Sequence, residues 1–174
     1  MKINQFILFI CVLCMFSSCR SEKIIVNKKI INTEGEPMLI GRITTDALTS
    51  PDFKDWYLKE YDSYIPKKKF INTIRRKAKF YRIEIFLGTW CSDTQEQLPR
   101  FLKILDESKF PKKKIDLYAL NKNKESFYGE QNQKGITRIP VFIIYKGENE
   151  IGRITETPTH ETLEEDLYNI FLRK

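Results

Sequence analysis

The chain has 174 residues, 41% of them hydrophobic, and a formal net charge of +7. It is long enough to form one domain around a hydrophobic core. It contains no nucleic-acid-binding motif and no glycine-rich phosphate loop, so neither class of partner is indicated. The positive charge is concentrated in residues 67–69, 75–79 and 112–114. We interpret these runs as solvated faces, with an anionic membrane surface as the alternative partner.

The first residues have the pattern of a secretory signal. Lys2 is the only charge before an apolar run over residues 6–16, which is shorter than the ~20 residues that a membrane-spanning helix needs. Two serines and Cys19 follow, and this ending resembles the lipobox of bacterial lipoproteins, in which the cysteine is acylated. We therefore predict a signal peptide at 1–18 and lipidation at Cys19. The protein would be exported to the cell envelope, facing the periplasm or the surface, as a membrane-anchored lipoprotein. An ordinary secretory signal is the alternative.

Under this interpretation only one of the four cysteines of the chain remains as a free thiol. Cys11 and Cys14 leave with the signal, and Cys19 is acylated. Cys91 is then the only free thiol, and the mature protein forms no internal disulfide. An unpaired thiol in an oxidising compartment indicates either a function or deep burial. With His160 as the only histidine, we expect no structural zinc site, and we predict neither a metal nor a cofactor.

The segment after the signal is predicted to be a lipidated N-terminus and polar tether over residues 19–37, with an edge strand at 24–31. A strand is predicted next, from residue 38 to residue 44. Ser50 and Pro51 have the residue types typical of a helix N-cap and first helical position. The helix that follows is predicted to contact the core through its aromatic residues, which are Phe53, Trp56, Tyr57, Tyr61 and Tyr64.

From residue 67 onward, helical and strand patterns alternate. The predicted elements are a helix at 67–79, a strand at 81–87, a helix at 94–105, a strand at 114–120, a polar connection at 121–137 that could hold a short helix, a hairpin at 141–155 and a helix at 159–172.

Three features of this region resemble the thioredoxin family. Gly88-Thr89-Trp90-Cys91-Ser92-Asp93-Thr94 resembles the family's Trp-Cys-x-x-Cys turn, with Thr94 in place of the second cysteine. Pro99 resembles the proline that kinks the family's active-site helix. Ile139-Pro140, directly before an apolar strand, resembles the family's cis-proline segment. The resemblance implies an α/β thioredoxin-like fold over residues 67–174, with a central mixed sheet flanked by helices. Residues 38–66 would be an N-terminal elaboration.

The resemblance also implies a site. Cys91 would be the nucleophile of thiol–disulfide exchange, with Trp90 and Thr94 beside it. Ile139 and Pro140 would bind an extended peptide substrate through main-chain groups. The Thr94 hydroxyl could still donate a hydrogen bond to a Cys91 thiolate, but it cannot resolve a mixed disulfide.

Two neighbouring features weaken the case for catalysis. Ile85 stands where thioredoxins carry a buried aspartate, and Glu84 should point to the opposite face of the strand. The helix N-terminus favours a thiolate at Cys91, whereas the charge of Asp93 opposes it.

Two hypotheses about function stay open at this point. The first is monothiol exchange with thiol- or disulfide-containing envelope proteins or small thiols. The second is a non-catalytic binding module that uses the cis-proline groove. A one-cysteine peroxidase has little support, because the residues around Cys91 do not form a peroxidase motif. The sequence specifies neither the substrate nor the oligomeric state.

Overall fold

The computed structural model of the protein describes residues 24–173. The predicted signal over residues 1–18 and the predicted lipidation site at Cys19 lie outside this range. The elements are, in chain order, β1 Lys28–Ile31, β2 Pro37–Ile43, α1 Thr45–Leu48, α2 Lys54–Ser63, α3 Lys68–Lys77, β3 Tyr81–Leu87, α4 Ser92–Glu107, β4 Ile115–Ala119, β5 Val141–Lys146, β6 Asn149–Thr155 and α5 Leu163–Leu172. One complete sheet with its helices is therefore contained within residues 24–173.

All six strands belong to one mixed sheet, in the order β1-β2-β4-β3-β5-β6. The central strands β3 and β4 are parallel, and every other neighbouring pair is antiparallel. In the parallel pair Ile83 lies opposite Ile115, and Leu87 lies opposite Ala119. The carboxyl ends of both strands therefore lie at the same edge of the sheet, which is where the loop with Cys91 begins.

The main core lies on one face of this sheet. Ile83, Ile85 and Leu87 of β3 pack there against apolar side chains from helices α2 to α5. The rings of Phe101 in α4 and Phe142 in β5 stack with centroids 4.1 Å apart. Burial of the apolar stripes of the helices against the strands is the main stabilising contribution to this layer.

The other face carries a smaller apolar cluster of Phe86, Leu120, Ile139, Val141, Ile143 and Tyr145. Trp90 and Cys91 pack against its edge. No described helix contributes a residue to this cluster, and its cover includes Ile136 from the connection between β4 and β5. The candidate thiol thus lies at the border between the two faces.

The residues predicted to be a tether and an N-terminal elaboration contribute two strands, β1 and β2, to the same sheet. β1 pairs with β2, and β2 pairs with β4. Helix α2 contacts α4 through Arg100, whose guanidinium lies 2.7 Å from the carboxylate of Glu60, and through Tyr61, whose hydroxyl donates to Asp106. The domain boundary predicted at residue 67 stays a prediction, but residues on both sides of it share one core.

The start predicted for helix α2, at Ser50 and Pro51, is wrong. Ser50 is not an N-cap, because α2 begins at Lys54. The Ser50 carbonyl instead accepts hydrogen bonds from the amides of Phe53 and Lys54, which holds the residues between them in a turn. The short helix α1 before this turn was not predicted. Of the predicted aromatic contacts, Phe53 and Tyr57 are buried in the core, and Trp56, Tyr61 and Tyr64 pack against it.

Two other predicted helical segments differ from the structure. The last helix begins at Leu163, not at 159, because the Asp166 carboxylate accepts the amides of Thr159 and His160 and holds them outside the helix. The connection 121–137 contains turns and no helix. Lys124, Gln133 and two glycines there adopt positive φ angles, which interrupt helical geometry.

Candidate functional site

The loop after β3 is a tight turn that presents a thiol at the start of a helix. The amide of Cys91 donates to the carbonyl of Gly88 at 2.9 Å, and the amide of Gln95 donates to the carbonyl of Cys91 at 3.0 Å. Cys91 is therefore the N-cap residue of α4. Within residues 24–173 it is the free cysteine, and it is half-buried.

The sulfur of Cys91 lies beside a segment 48 residues further along the chain. Its S–H donates to the main-chain oxygen of Ile139 across 3.6 Å. The Ile139–Pro140 peptide bond is cis. Ile139 is only 4% exposed, and the carbonyl of Pro140 accepts the amide of Glu156 at 2.7 Å. The fold thus brings together Cys91, Ile139 and Pro140, as the sequence predicted.

Trp90 fixes the turn from the other side. Its indole N–H donates to the carbonyl of Leu120 at 2.9 Å, just beyond the end of β4. A Cβ atom at Gly88 would lie 2.8 Å from this indole and 2.7 Å from Cδ1 of Ile139. Glycine is therefore required at residue 88 for the tryptophan and the Ile139–Pro140 segment to pack together.

Thr94 is fully buried and braces the turn. Its Oγ1 accepts the amide of Gly88 at 3.3 Å. The hydrogen bond predicted from Thr94 to a Cys91 thiolate is not among those of residues 24–173, where the Thr94 hydroxyl oxygen accepts the Gly88 amide. Thr94 is thus close to the thiol in sequence, and its polar atom is used by the main chain.

Sequence reasoning missed two other polar residues of the turn. The side-chain amide of Gln95 donates to the carbonyl of Thr89 at 2.9 Å. The Thr89 hydroxyl accepts the amide of Leu39 in β2 at 3.2 Å, and Thr89 is 3% exposed. Strand β2 is therefore tied directly to the loop with the thiol. Thr89, a polar residue directly after an apolar strand, was the feature of the sequence that could have indicated this contact.

Glu84 lies on the face of β3 opposite to Ile85, as predicted, and it is 8% exposed. Its carboxylate accepts the Tyr145 hydroxyl at 2.8 Å and lies 2.9 Å from the Lys134 ammonium. The Arg82 guanidinium lies 2.5 Å from its other oxygen. Burial opposes ionisation of this group, but the hydrogen bonds from Arg82, Lys134 and Tyr145 outweigh it, and the pKa of Glu84 is lowered. Because Lys134 precedes Ile139 in the same connection, this pair helps to hold the cis-proline segment on the sheet.

A polar groove runs beside the thiol turn between α2 and α4. It has a volume of about 250 Å³ and is lined by residues that include Trp56, Lys59, Ser92, Gln95 and Arg100. Ser92 directly follows Cys91. The N-terminal part of the chain thus contributes surface close to the candidate site.

His160 makes its contacts elsewhere. Its ring nitrogens lie against the Asp166 carboxylate and the Asn169 side-chain amide. Among residues 24–173 no group of three or more His, Cys, Asp or Glu side chains is arranged to hold a metal ion. No helix in the same range is both long enough and apolar enough to span a membrane.

The comparison with family models identifies the family of this fold. A family model described as thioredoxin matches residues 47–165, more than half of the chain. The chain belongs to the thioredoxin family. The predicted α/β thioredoxin-like fold, with its mixed sheet and flanking helices, is confirmed by this match together with the sheet topology. The thioredoxin match begins at residue 47, so it includes α2 of the segment predicted to be an elaboration.

Two solved structures are similar to part of the chain. The chain is similar to a crystal structure of a protein of unknown function from Pseudomonas aeruginosa, with 20% sequence identity and a TM-score of 0.43 over 60% of this chain and 61% of that one. It is also similar to a crystal structure of an HIV epitope-scaffold, with 20% identity and a TM-score of 0.41 over 65% and 69% of the two chains. The chain thus covers less than two thirds of the first of these proteins. No curated protein matches it.

Proposed function

We propose that this member of the thioredoxin family carries out monothiol thiol–disulfide exchange through Cys91 while anchored in the cell envelope by a lipid at Cys19. The observation that carries the proposal is the position of the Cys91 sulfur. It lies at the N-terminus of α4, half-buried, 3.6 Å from the carbonyl oxygen of Ile139 before a cis-proline. A thiolate is stabilised at a helix N-terminus, and the neighbouring main chain offers a partner for an extended substrate.

The reaction begins when the Cys91 thiolate attacks one sulfur of a substrate disulfide. A bond forms between Sγ of Cys91 and that sulfur, the substrate S–S bond breaks, and the second substrate sulfur leaves as a thiolate that takes a proton from water. The mixed disulfide then persists until a second thiol reacts with it. That thiol attacks the substrate sulfur, forms a new disulfide with it and releases the Cys91 thiolate, so the enzyme ends unchanged.

The resolving thiol must come from outside residues 20–174, because Cys91 is the only cysteine there. A small thiol or a cysteine of an envelope protein can supply it. Neither the amide nor the carbonyl of Ile139 is in a main-chain hydrogen bond within residues 24–173. The carbonyl accepts the Cys91 thiol, and a bound peptide can replace that contact once Cys91 has lost its proton. The role we assign to Ile139 and Pro140 is to hold such a peptide beside the sulfur.

Anchoring rests on the sequence pattern before residue 20. An apolar run after Lys2 ends in Ser17, Ser18 and Cys19, and the charged residues Arg20, Glu22 and Lys23 follow. Mass spectrometry of the N-terminal peptide from the membrane fraction tests this part separately. An acylated N-terminus at Cys19, lost in Cys19→Ala, supports the anchor. An unmodified N-terminus in a soluble fraction contradicts it.

The exchange is tested on the chain from residue 20 onward, which retains every described element. The protein is incubated with oxidised glutathione and its intact mass is measured. One glutathione added at Cys91, removed by a second thiol and absent in Cys91→Ser, is the predicted result. Failure of the folded protein to form this adduct, while the urea-unfolded protein forms it, contradicts the proposal.

The second candidate is a non-catalytic binding module, and the position of Thr94 favours it. This residue is fully buried and its hydroxyl is engaged by the Gly88 amide, so the site is braced without any resolving group. Capture of envelope proteins on wild type and Cys91→Ser separates the two candidates. A partner held equally by both proteins favours the module, whereas a partner held only by wild type and released by reductant favours exchange.

A further inference from the structure

Eight of the chain's basic residues lie together at the end of the molecule that is away from the thiol. We define the basic pole as the eight Lys and Arg residues within 75–79 and 109–114, ranges that contain no acidic residue. The remaining 22 basic residues of the chain's 30 are matched by its 23 acidic residues. The net charge of +7 therefore resides at this pole, and the rest of the protein is close to neutral.

The fold brings the two basic segments together. The turn Ala78–Phe80 leads into β3, and the turn Lys112–Lys114 leads into β4. Because β3 and β4 are parallel, both turns lie at the amino edge of the sheet. Hydrogen bonds join the segments, since the Lys114 ammonium donates to the carbonyl of Lys79 and the Arg75 guanidinium donates to that of Glu107 at 2.7 Å.

Acidic residues near this pole are few. Asp106 and Asp116 line the same cavity as Lys112, and Glu107 follows Asp106 in the chain. None of its eight residues takes part in an ion pair within residues 24–173. The contacts of Arg75, Lys77 and Lys114 are with main-chain carbonyls at the ends of helices and turns. Those carbonyls carry only partial negative charge. Lys109, Lys112 and Lys113 are exposed to solvent.

An exposed aromatic side chain lies within the same surface. Phe80 is 57% exposed, and the Lys79 ammonium lies 5.0 Å from the centroid of its ring. Aromatic rings next to basic side chains suit the headgroup level of a bilayer, where the ring enters the apolar boundary and the cations face phosphate. A soluble polyanion would pair with the lysines and leave the ring in water.

We propose that the basic pole docks onto an anionic phospholipid surface. Lys79, Lys109, Lys112 and Lys113 would face lipid phosphates, and Phe80 would enter the interface. The seven-residue strand β3 separates this pole from the loop with Cys91, a distance of about 20 Å at the rise of a strand. The thiol would then face away from the membrane, where a protein substrate can reach it.

The path of the N-terminus is compatible with this orientation. The amide of Asn27 donates to the carbonyl of Arg42, and its side chain bonds to Thr44. Thr44 directly follows Ile43, which lies opposite Leu117, the middle residue of β4. Because β2 and β4 are antiparallel, Thr44 lies toward the amino end of β4. The structure describes the chain from Ile24, and the Ile25 amide donates to the Tyr128 hydroxyl. From Ile24, the five preceding residues reach back to Cys19 and span at most about 18 Å. This step rests on the proposed lipidation, but the docking surface itself does not.

The test measures partition of the unacylated chain from residue 20 onward into vesicles at about 0.1 M salt. Vesicles of phosphatidylcholine with phosphatidylglycerol are compared with vesicles of phosphatidylcholine alone. The triple variant Lys109→Gln, Lys112→Gln, Lys113→Gln should lower the partition coefficient into anionic vesicles on the order of 100-fold, and Phe80→Ala should lower it as well. The matched control Lys54→Gln, Lys59→Gln, Lys68→Gln removes the same charge from exposed positions elsewhere and should have a much smaller effect.

Three results would overturn the proposal. These are equal partition into neutral and anionic vesicles or into neither, an equal loss in the control variant, and tighter binding to soluble heparin than to anionic vesicles. Adduct formation at Cys91 with oxidised glutathione is measured on the same proteins. The pole variant should keep the wild-type rate, so a failure of docking is distinguishable from a failure of the exchange reaction.

Discussion

Thr94 Oγ1 accepts the main-chain amide of Gly88 at 3.3 Å, across the turn that presents Cys91. The residue three positions after the cysteine therefore stabilises the loop, where a dithiol site would carry its resolving sulfur. Since Thr94 is fully buried, a thiol introduced there would be shielded from solvent and would lie inside the same turn.

Thr94→Cys is expected to convert the site into a dithiol. The new thiol should resolve a mixed disulfide on Cys91 internally, so the variant should reduce a model disulfide faster than the wild type, which depends on an external thiol for that step. Reduction of insulin disulfides, followed by turbidity in the presence of a reductant, measures this gain. Thr94→Ser, which keeps a hydroxyl, is the matched control and should show no gain. A Thr94→Cys protein that folds and reduces insulin no faster than the wild type would argue that the site is not built for exchange.

Gly88→Ala should disturb the packing of Trp90 against the Ile139–Pro140 segment. The added Cβ would lie within 2.8 Å of the indole and 2.7 Å of Cδ1 of Ile139, and overpacking of this kind costs about 1–3 kcal/mol of unfolding free energy. The rate of adduct formation at Cys91 should change together with stability. Urea unfolding and the glutathione reaction measure the two effects.

A suitable control for that variant is Gly35→Ala. Gly35 has a φ of +82° and no neighbouring atom within contact distance. Its replacement should lower stability through backbone strain while leaving the reactivity of Cys91 unchanged. If Gly35→Ala changed the reactivity as much as Gly88→Ala does, the packing explanation would fail.

Glu84→Gln should lower the free energy of unfolding at pH 7 by about 1–3 kcal/mol, since Lys134 and Arg82 would then face a neutral amide. The pKa of Glu84 is lowered in the folded protein from an ordinary value of 4.5. Its stabilising contribution is therefore present above pH 4.5 and is lost as the pH falls through the folded value. The unfolding free energy of the wild type should fall more steeply in acid than that of Glu84→Gln.

Denaturant titrations at pH 7 and near pH 3 test whether the wild type loses more stability in acid than Glu84→Gln does. Glu161→Gln serves as the comparison, because Glu161 pairs with Lys67 but its side chain is 75% exposed. It should lower stability less than Glu84→Gln. An equal fall of the unfolding free energy in acid for wild type and Glu84→Gln would show that the Glu84 carboxylate does not contribute to the acid sensitivity.

The sequence predicted the architecture because strand and helix patterns from residue 67 onward are regular and their order is distinctive. It also predicted that Cys91 and Ile139-Pro140 meet, although 48 residues separate them, since the resemblance supplied the long-range contact. Helix starts were less predictable. At Ser50 and at Asp166 a carbonyl or a carboxylate binds amides ahead of the helix, and this competition is not visible in residue types alone.

Side-chain partners were the least predictable part of the site. The sequence predicted the Cys91 thiolate as the partner of Thr94, whereas the three-dimensional path of the turn places the Gly88 amide against the Thr94 hydroxyl oxygen. The network of Glu84 depends on Lys134 and Tyr145, which come from a loop and from the neighbouring strand. Periodicity places Glu84 on a face but does not identify what covers that face.

We propose that the fold presents Cys91 for thiol–disulfide exchange. The most direct test is the second-order rate constant of Cys91 with a small aromatic disulfide that releases a coloured thiolate, measured on the chain from residue 20 in the folded state and in urea. Because this chain holds one thiol, each rate reports one site. We expect the folded protein to react at least as fast as the unfolded one, although Cys91 is half-buried. Reaction of the folded protein only at its rate of unfolding would contradict it.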